Sequence, residues 1–502
     1  MFISLKKEDI GKSLTTIVRV ENIHQTTGPT IFLLNDGTGK LVAKAFLKPG
    51  ARAFPAIEKG DIAEITLRLQ EYDNRIEGSI DAIEKRDPEL FDKAVETNRA
   101  KQLQIESIPF LVKSEHLEKL RERFEKAAML IKKSIIENRP IFVRHNADCD
   151  GYSGAVALER CILPIIRDQQ RDSFQEWRFF RRLPTRAPFY SLGDVMSDIV
   201  GMTNDMLRSN TLPPLIIVVD NGSGKEDLVA LKSLKIYGCP IVIVDHHFIS
   251  TDVISPIVDV HINPYLVGHN SSITAGMLAT ELGRFINKKA AVSVLPALSG
   301  IGDKSQGDEM QHYLQIAEQE GYIHDDLKKI ALCIDFAAYY LRSMEGRVLV
   351  DDLLGANKER QKQLVALWHD EAQRRMHEQL QVIQRYTTIE ESEKAVIATV
   401  HLENIVSGDF PSYGKVTGMT NEWLKSLHSK PVFVLGIAKD MLIIRTTHLQ
   451  FNLNGMITAI PSRHWAVSGG GHERAGTLHY APAAQNEVLS FVRQWIEKVL
   501  SQ

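Results

Sequence analysis

Short apolar runs that end abruptly in charged residues constrain this chain more than any other sequence feature. Ile141–His145, Leu215–Val219 and Pro240–Val244 are such runs, and helix-like stretches lie between them. Runs of this length are typical of strands that are buried on both faces of a parallel sheet. Ligands of such sheets bind at the carboxyl ends of the strands, where the charged residues follow here. The sequence therefore predicts an α/β domain with a functional site at that edge.

Acidic and histidine residues cluster after four core-like segments. One aspartate after a buried strand is commonly a helix cap, but four clusters, two of them with histidine, are too many for caps alone. Carboxylates together with imidazole form a ligand set for Mn²⁺ or a similar divalent ion, and a shared carboxylate lets two ions occupy one site. The four clusters are Arg144–Gly151, Val219–Gly222, Val244–His247 and Gly300–Ser305.

Composition excludes several classes of protein. A chain of 502 residues with 44% hydrophobic and 25% charged residues is typical of a soluble globular protein of about three domains. Its four cysteines form no C-x-x-C pair, which excludes a disulfide scaffold and a cysteine zinc site. No apolar stretch fits a signal peptide or a membrane span, so we expect a cytoplasmic protein without a membrane partner. Because the net charge is −3, binding to nucleic acid would have to come from local patches.

The first 86 residues have the pattern of five short strands. Asn35–Gly39 is a strong hairpin-turn signal between Thr30–Leu34 and Leu41–Phe46. The number and order of the strands predict an OB barrel over residues 1–86. A small β-barrel used only for packing or dimerisation is the alternative. Residues 87–139 are charged and helix-forming with one apolar face, which predicts a helical linker.

Two further domains are predicted after the linker. Residues 140–350 carry the buried strands and the acidic clusters. Residues 351–392 are predicted to form a connecting helix. Residues 393–502 alternate strand-like runs with helices, which predicts a smaller α/β domain.

The order of the motifs resembles the DHH phosphoesterase superfamily. The resemblance implies a parallel-sheet DHH domain and a smaller α/β DHHA1 domain, preceded here by an OB-like β-barrel as in archaeal-type RecJ-like members. Ser468–Gly476 resembles the superfamily's C-terminal G-G-G-H-x-x-A-G signature. The matching residues of the first domain are Asp148-x-Asp150-Gly151, the strand-end Asp220, Asp245-His246-His247 and Asp303.

The resemblance implies that two divalent ions, Mn²⁺ or alternatively Mg²⁺, share Asp220 as a bridging ligand. His145, Asp148 and Asp220 would hold one ion. Asp150, Asp220, His246 and Asp303 would hold the other. Asp220, Asp245 and His247 would form the catalytic set, in which His247 faces the scissile phosphate and Asp245 orients the histidines. Many members place the first histidine four residues before the first aspartate, whereas His145 is three residues before Asp148.

Two segments are predicted to bind substrate. Consecutive glycines let backbone N–H groups approach an anion closely, although alone they would indicate a flexible turn. Residues 171–190 interleave arginines with aromatic residues, which fits a single-strand groove, or else a strand with core aromatics and solvated arginines. Arg445 is predicted to bind phosphate, with a surface ion pair as the alternative. The predicted substrate-binding residues are Gly469, Gly470, Gly471, His472, Arg445, Arg178, Arg181 and Arg182.

The function that the resemblance implies is hydrolysis of single-stranded DNA or RNA by a metal-dependent exonuclease in repair or replication. Replication or repair proteins would be further partners. One alternative is a phosphodiesterase of oligonucleotides or cyclic dinucleotides. The other is a non-catalytic replication scaffold, whose known relatives lose metal ligands, whereas the carboxylates and the Asp-His-His motif are intact here.

Overall fold

The computed structural model describes residues 2, 5–73, 75–170, 176–249, 251–341, 344, 346–406, 408–460 and 465–501. These residues form two compact units. One unit contains Met1–Glu106, Met129–Asn138 and Leu163–Trp177, and the other contains Ser107–Ala128, Arg139–Ile162 and Arg178–Gln502. No helix in the described ranges combines the length and the apolar character that a membrane crossing requires.

The first unit contains a closed five-stranded barrel. Its strands are β1 (Ser13–Gln25), β2 (Thr30–Asn35), β3 (Lys40–Ala45), β4 (Ile62–Tyr72) and β5 (Arg75–Lys85), followed by helix α1 (Pro88–Leu103). The strands lie in the order β1-β2-β3-β5-β4. Fully buried residues alternate with more exposed ones along β2 and β3, as the two-residue period of a strand with one core face requires. The prediction of an OB-like barrel is confirmed.

The second unit contains a five-stranded sheet whose paired strands all run parallel. The strands are β6 (Ile141–His145), β7 (Phe180–Pro184), β8 (Leu215–Val219), β9 (Ile241–Val244) and β10 (Val260–Ile262). Their order is β10-β9-β8-β6-β7. Every residue of β6, β8 and β9 is buried, which is why these strands are apolar runs without alternation.

Within the residues that the structure describes, eleven helices belong to this part of the chain. They are α2 (Glu115–Ile136), α3 (Cys149–Gln170), α4 (Glu176–Phe179), α5 (Leu192–Ser209), α6 (Leu228–Ile236), α7 (Ala275–Ile286), α8 (Leu295–Gly302), α9 (Asp308–Gln319), α10 (His324–Leu341), α11 (Arg347–Leu353) and α12 (Lys358–Tyr386). The 29-residue helix α12 covers most of the segment predicted as a connecting helix.

A six-stranded sheet forms the C-terminal part of the same unit. Its elements are β11 (Thr388–Glu391), β12 (Val396–His401), α13 (Leu402–Ile405), α14 (Tyr413–Leu427), β13 (Val432–Ala438), β14 (Met441–Thr446), α15 (Leu453–Thr458), β15 (Ser468–His472), β16 (Ala475–His479) and α16 (Gln485–Leu500). The order is β11-β12-β13-β14-β16-β15, with β15 at one edge. The predicted second α/β fold is confirmed, while the domain boundaries at 350 and 392 stay predictions.

Candidate metal centre

The loop between β6 and α3 carries Asp148 and Asp150. Asp148 Oδ1 accepts the backbone N–H of Gly151 at 2.9 Å, so Asp148 caps α3 as well as standing at the strand end. A Cβ atom added at Gly151 would lie 2.3 Å from the Asn146 carbonyl oxygen. Only glycine fits this close approach, which explains the Asp-x-Asp-Gly pattern in steric terms.

Asp150 connects this loop to a second helix. Its carboxylate accepts the backbone N–H groups of Ala275 at 3.0 Å and Gly276 at 2.7 Å, at the start of α7. Ser299 also donates its hydroxyl to Asp150 Oδ1, at 2.5 Å. These donors and the positive end of the α7 dipole offset part of the cost of burying the charge.

Asp220 follows β8 in a left-handed backbone conformation, with φ at +59°. Few non-glycine residues adopt this region, and aspartate is among those that tolerate it best. The residue is 1% exposed, and its Oδ2 atom has no hydrogen-bond partner among the described residues. The fold thus holds a buried carboxylate oxygen without a donor at the strand end.

His246 turns its Nε2 atom toward three carboxylates. Although burial opposes the charge, these carboxylates raise the pKa of this imidazole well above its usual value. Its Nδ1–H donates to the Ser271 carbonyl at 2.9 Å, which leaves Nε2 as the free ring nitrogen. Nε2 lies 3.1 Å from Asp303 Oδ2, 3.4 Å from Asp220 Oδ1 and 3.5 Å from Asp150 Oδ2. It makes no hydrogen bond within the part of the chain that the structure describes.

Asp245 accepts hydrogen bonds from the two histidines that follow it, from the backbone of His246 and from the ring of His247. Its Oδ1 atom accepts the His246 N–H at 2.8 Å and the His247 Nδ1–H at 2.7 Å, and its Oδ2 accepts the Ser223 N–H at 3.2 Å. Burial would raise the pKa of Asp245, but the His247 and His246 imidazoles outweigh burial and lower this pKa below the usual range. An ionised carboxylate whose two oxygens both accept hydrogen bonds has the geometry that the predicted orienting role requires.

The electrostatics of the remaining carboxylates favour a bound cation. Burial, with the charges of Asp303 and Asp150, raises the pKa of Asp148 to about 7. Burial and repulsion from neighbouring carboxylates also raise the pKa values of Asp220 and Asp150. Burial opposes ionisation of Asp303 too, but His246 lowers the pKa of Asp303 to about 2. Crowded carboxylates and unpartnered buried atoms, Asp220 Oδ2 and His246 Nε2, together fit divalent ions.

His145 has the tautomer of a metal ligand. Its Nδ1–H donates to the Asn146 carbonyl at 2.7 Å, and its fully buried Nε2 has no partner among the described residues. Burial, aided by the Arg182 charge, lowers the pKa of His145 to about 3, so the ring is neutral. Within the described ranges, three groups of three ligand atoms lie within 4.8 Å of one another. They are Asp150, His246 and Asp303; Asp220, Asp245 and His247; and His246, His247 and His472. His145 and Asp148 are in none of them, and metal ligation by any of the predicted residues stays a prediction.

The glycine-rich signature forms the edge strand β15 and not a flexible turn. Gly469 and Gly471 have φ values of +149° and +141°. Added Cβ atoms there would lie 2.1 Å from the Thr477 carbonyl and 2.5 Å from the Ala475 carbonyl of β16. Glycine is therefore required by the close approach of β16, and the strand brings His472 to His247 and Asp303.

His472 joins the C-terminal sheet to the Asp-His-His motif. Its ring stacks on His247 with centroids 5.0 Å apart, and its Nε2 lies 3.7 Å from Asp303 Oδ2. His246, His247 and His472 each place one ring nitrogen within 4.8 Å of the other two. Burial, together with the neighbouring His247 and His246, lowers the pKa of His472 to about 3.

Arg445 lies two strands from His472, on β14. Its partner in the sheet, Ala475, also pairs with His472. Burial lowers the pKa of Arg445, and no described carboxylate forms an ion pair with it, so the surface ion-pair alternative is not supported. Gly414 in the first turn of α14 lies against the guanidinium, since an added Cβ would be 3.9 Å from Arg445 Nη2. A partly buried cation beside a helix N-terminus suits an anion.

Two of the arginines predicted to line a strand groove form ion pairs with carboxylates of the same domain. Arg182 is fully buried and pairs with Glu159, with Nε 2.6 Å from the carboxylate. Arg181 Nη2 lies 2.5 Å from Asp205 Oδ2, and the Nε atom of Arg178 is buried. This corrects the placement of Arg182, because a guanidinium without solvent exposure cannot reach a nucleic-acid strand. Residues 171–175 lie outside the described ranges.

Two supporting groups were not predicted from the sequence. The Ser271 carbonyl fixes the His246 ring, but no side-chain pattern marks a backbone oxygen. Asn263 donates to the carbonyl of His247 and to Ser223 Oγ, both at 3.0 Å. A signal existed for Asn263, because it directly follows β10 and is therefore another polar residue at a strand end.

Comparison with known proteins places the chain in a family. No family model matches it. An uncharacterized protein of Methanocaldococcus jannaschii is 35% identical over 509 residues, covering 94% of this chain and 67% of that protein. A solved structure described as the DHH domain of a member of the S1p family of ribosomal proteins is 34% identical, with a TM-score of 0.77, covering 81% of this chain and 97% of that one. This chain belongs to the DHH family.

The DHH fold is shared with two structures of RecJ at lower identity. RecJ of Thermus thermophilus in complex with Mn²⁺ is 16% identical with a TM-score of 0.55, covering 80% of this chain and 58% of that one. A structure of exonuclease RecJ bound to manganese is 17% identical with a TM-score of 0.50, covering 77% of this chain and 96% of that one. These structures show that the chain shares its fold with RecJ.

Proposed function

We propose that this DHH protein is a metal-dependent exonuclease that hydrolyses phosphodiester bonds of single-stranded nucleic acid. The observation that carries the proposal is the position of the His246 Nε2 atom, within 3.5 Å of three carboxylates. A non-catalytic scaffold would have no reason to keep so costly a buried cluster. The similarity to structures of RecJ with bound Mn²⁺ supports the same chemistry.

The residues of the centre divide between two proposed metal positions. Asp150, His246 and Asp303 would hold one ion, His145 and Asp148 the other, and Asp220 would contact both. When bound, two divalent ions supply a water of lowered pKa and neutralise charge that develops on the phosphate. Mn²⁺ and Mg²⁺ both suit a ligand set of carboxylates with imidazole.

The histidines and Arg445 would act directly on the phosphate. Burial would lower the pKa of His247, but Asp245 outweighs it and raises this pKa, so the ring holds a proton to donate. Because Nδ1–H is held by Asp245, the other ring nitrogen of His247 is the one available to a phosphate oxygen. His472, stacked on His247, and the Arg445 guanidinium would fix the neighbouring phosphate.

We expect Arg445→Met to raise the KM for a dinucleotide by about tenfold or more, since a hydrogen bond to a charged group contributes about 1.5–3 kcal/mol. Binding of Mn²⁺ should be unchanged, because Arg445 is not a ligand. Steady-state kinetics and metal titration measure the two effects separately. Arg445→Lys is the matched control and should restore part of the affinity. Loss of Mn²⁺ binding in Arg445→Met would contradict the assignment.

A second candidate function is hydrolysis of short oligonucleotides or cyclic dinucleotides. Internal ion pairs of Arg181 and Arg182 favour it, because they remove two cations from the predicted strand path. The exposed aromatic residues of the barrel favour a long nucleic-acid strand as the substrate instead. Its exposed Phe46 follows β3, and the exposed Tyr72 ends β4 with its ring 3.6 Å from Lys44 Nζ. Lys44 is on the outer face of β3, two residues before Phe46.

The barrel aromatics provide the experiment that separates the two functions. If they stack on bases, Phe46→Ala/Tyr72→Ala should weaken binding to a strand of several tens of nucleotides by tenfold or more, at about 1–3 kcal/mol per base. Turnover of a dinucleotide should not change. The matched control is Leu207→Ala, which truncates an exposed apolar residue of α5. Equal affinities of wild type and the double variant for the long strand would favour the short-substrate function.

A further inference from the structure

A carboxylate of α10 contacts the loop that carries Asp148 and Asp150. Asp335 Oδ1 accepts the backbone N–H of Cys149, the residue between those two aspartates, at 3.2 Å. Cys149 is the first residue of α3, so its N–H has no acceptor within the helix. Asp335 therefore fixes the backbone at the point where two predicted metal ligands diverge.

The other oxygen of Asp335 contacts a lysine of the C-terminal sheet region. Lys415 Nζ lies 2.9 Å from Asp335 Oδ2, and the two side chains are 32% and 25% exposed. Asp335 raises the pKa of Lys415 despite the opposing effect of burial, so the amine is a cation at neutral pH. Lys415 belongs to the first turn of α14, beside Gly414, which lies against Arg445. One contact chain thus joins the proposed phosphate-binding region to the proposed metal loop.

Helix α10 makes further contacts with the segment that precedes α14. Tyr339 lies one turn beyond Asp335 and donates its hydroxyl to the Gly408 carbonyl at 2.8 Å. Tyr340 donates to Asp409, whose carboxylate also pairs with Arg375 of α12. These contacts hold α14 at a defined position relative to α10, as a fixed Lys415–Asp335 contact requires.

We propose that Lys415 and Asp335 form a latch through which the C-terminal region holds the Asp148-Cys149-Asp150 loop in its metal-binding geometry. Both are positioning residues, since they act on the ligands through the Cys149 backbone. The proposal rests on the proposed function, because it assumes that Asp148 and Asp150 bind metal. It assigns to α14 a part in forming the metal centre as well as a part in phosphate binding.

The sign of one effect distinguishes this latch from simple electrostatics. Asp148 is among the carboxylates whose charge acts on Lys415. Removing a cation near carboxylates that bind Mn²⁺ would, by Coulomb's law alone, strengthen Mn²⁺ binding. Removing a latch that positions those carboxylates weakens Mn²⁺ binding instead.

Calorimetric titration of the metal-depleted full chain with Mn²⁺ tests the sign. We expect Lys415→Met to weaken Mn²⁺ binding by about 10–100-fold, the usual effect of losing a group that orients metal ligands. Lys415→Arg should restore most of the affinity. The matched control is Lys329→Met, which breaks an exposed ion pair of α10, from Lys329 Nζ to Asp325 Oδ2 at 2.8 Å, and should change nothing.

Asp335→Ala should weaken binding as Lys415→Met does, and the double variant should be no weaker than either single one, because all three break one latch. Far-UV circular dichroism establishes that each variant is folded. Mn²⁺ affinity in Lys415→Met equal to or above that of wild type overturns the latch. Failure of the wild type to bind Mn²⁺ overturns the proposed metal centre instead, so the two failures are distinguishable.

Discussion

Asp220→Asn is expected to reduce phosphodiester hydrolysis to background at saturating Mn²⁺. Asp220 is the one carboxylate proposed to contact both ions, so its loss disturbs both positions at once. Its Oδ1 atom lies 3.4 Å from His246 Nε2, and its Oδ2 atom is buried without a described partner. Turnover of a dinucleotide measures the effect. Full turnover by this variant would contradict the two-ion centre.

Asp227→Asn is the matched control for this substitution. Asp227 is also buried, at 2% exposed, but it accepts the backbone N–H groups of Tyr190 and Gly224 and contacts no proposed ligand. Turnover per folded molecule should therefore stay near the wild-type value. A loss in both variants would indicate that any buried charge of this region is needed for folding.

Asp220→Asn should also stabilise the metal-free protein against unfolding. Burial and the charges of Asp148 and Asp150 raise the pKa of Asp220, so the folded state binds this proton more tightly than the unfolded state. Stability is then lost as pH rises above the ordinary carboxyl pKa of 3.8. In a chelator at pH 8, Asp220→Asn should have the higher Tm, and the difference should shrink toward pH 4. Mn²⁺ should raise the Tm of wild type and not that of the variant.

His247→Ala is expected to lower turnover by about 10²–10³, the usual cost of removing one preorganised donor to a developing charge. Its Mn²⁺ content should stay near wild type, because His246 and the carboxylates are proposed as the ligands. Turnover and metal analysis of one preparation give both values. His401→Ala, at an exposed histidine of the C-terminal sheet, is the control. Loss of an ion from His247→Ala would show that the roles of His246 and His247 are wrongly assigned.

The strand-end motifs could be predicted because the physics behind them is local. Strands β6, β8 and β9 are buried on both faces, so each appears as an apolar run and the first polar residue marks its end. Parallel strands then bring those ends to one edge of the sheet. Asp220 and His246 were found in this way, although they are 26 positions apart in the sequence.

The partners of the arginines in residues 178–182 could not be predicted from the sequence. Arginines that alternate with aromatic residues give the same pattern whether they bind phosphate or a carboxylate of the protein. The carboxylates of Glu159 on α3 and Asp205 on α5 bind Arg182 and Arg181 of β7, and they are 23 and 24 positions away in the sequence. The role of the β15 glycines could not be predicted either. The contact that requires them is with the backbone of β16, and a backbone contact leaves no side-chain pattern in the sequence.

Release of nucleotides from end-labelled single-stranded DNA and RNA is the most direct test of the central claim. Metal-depleted protein would be compared with the same protein as Mn²⁺ is titrated back, while uptake of Mn²⁺ is measured in parallel. We expect no release from the depleted protein and release that rises with Mn²⁺ uptake, with Asp220→Asn inactive throughout. Release by the depleted protein, or no release of any nucleotide after full Mn²⁺ uptake, would contradict a metal-dependent exonuclease.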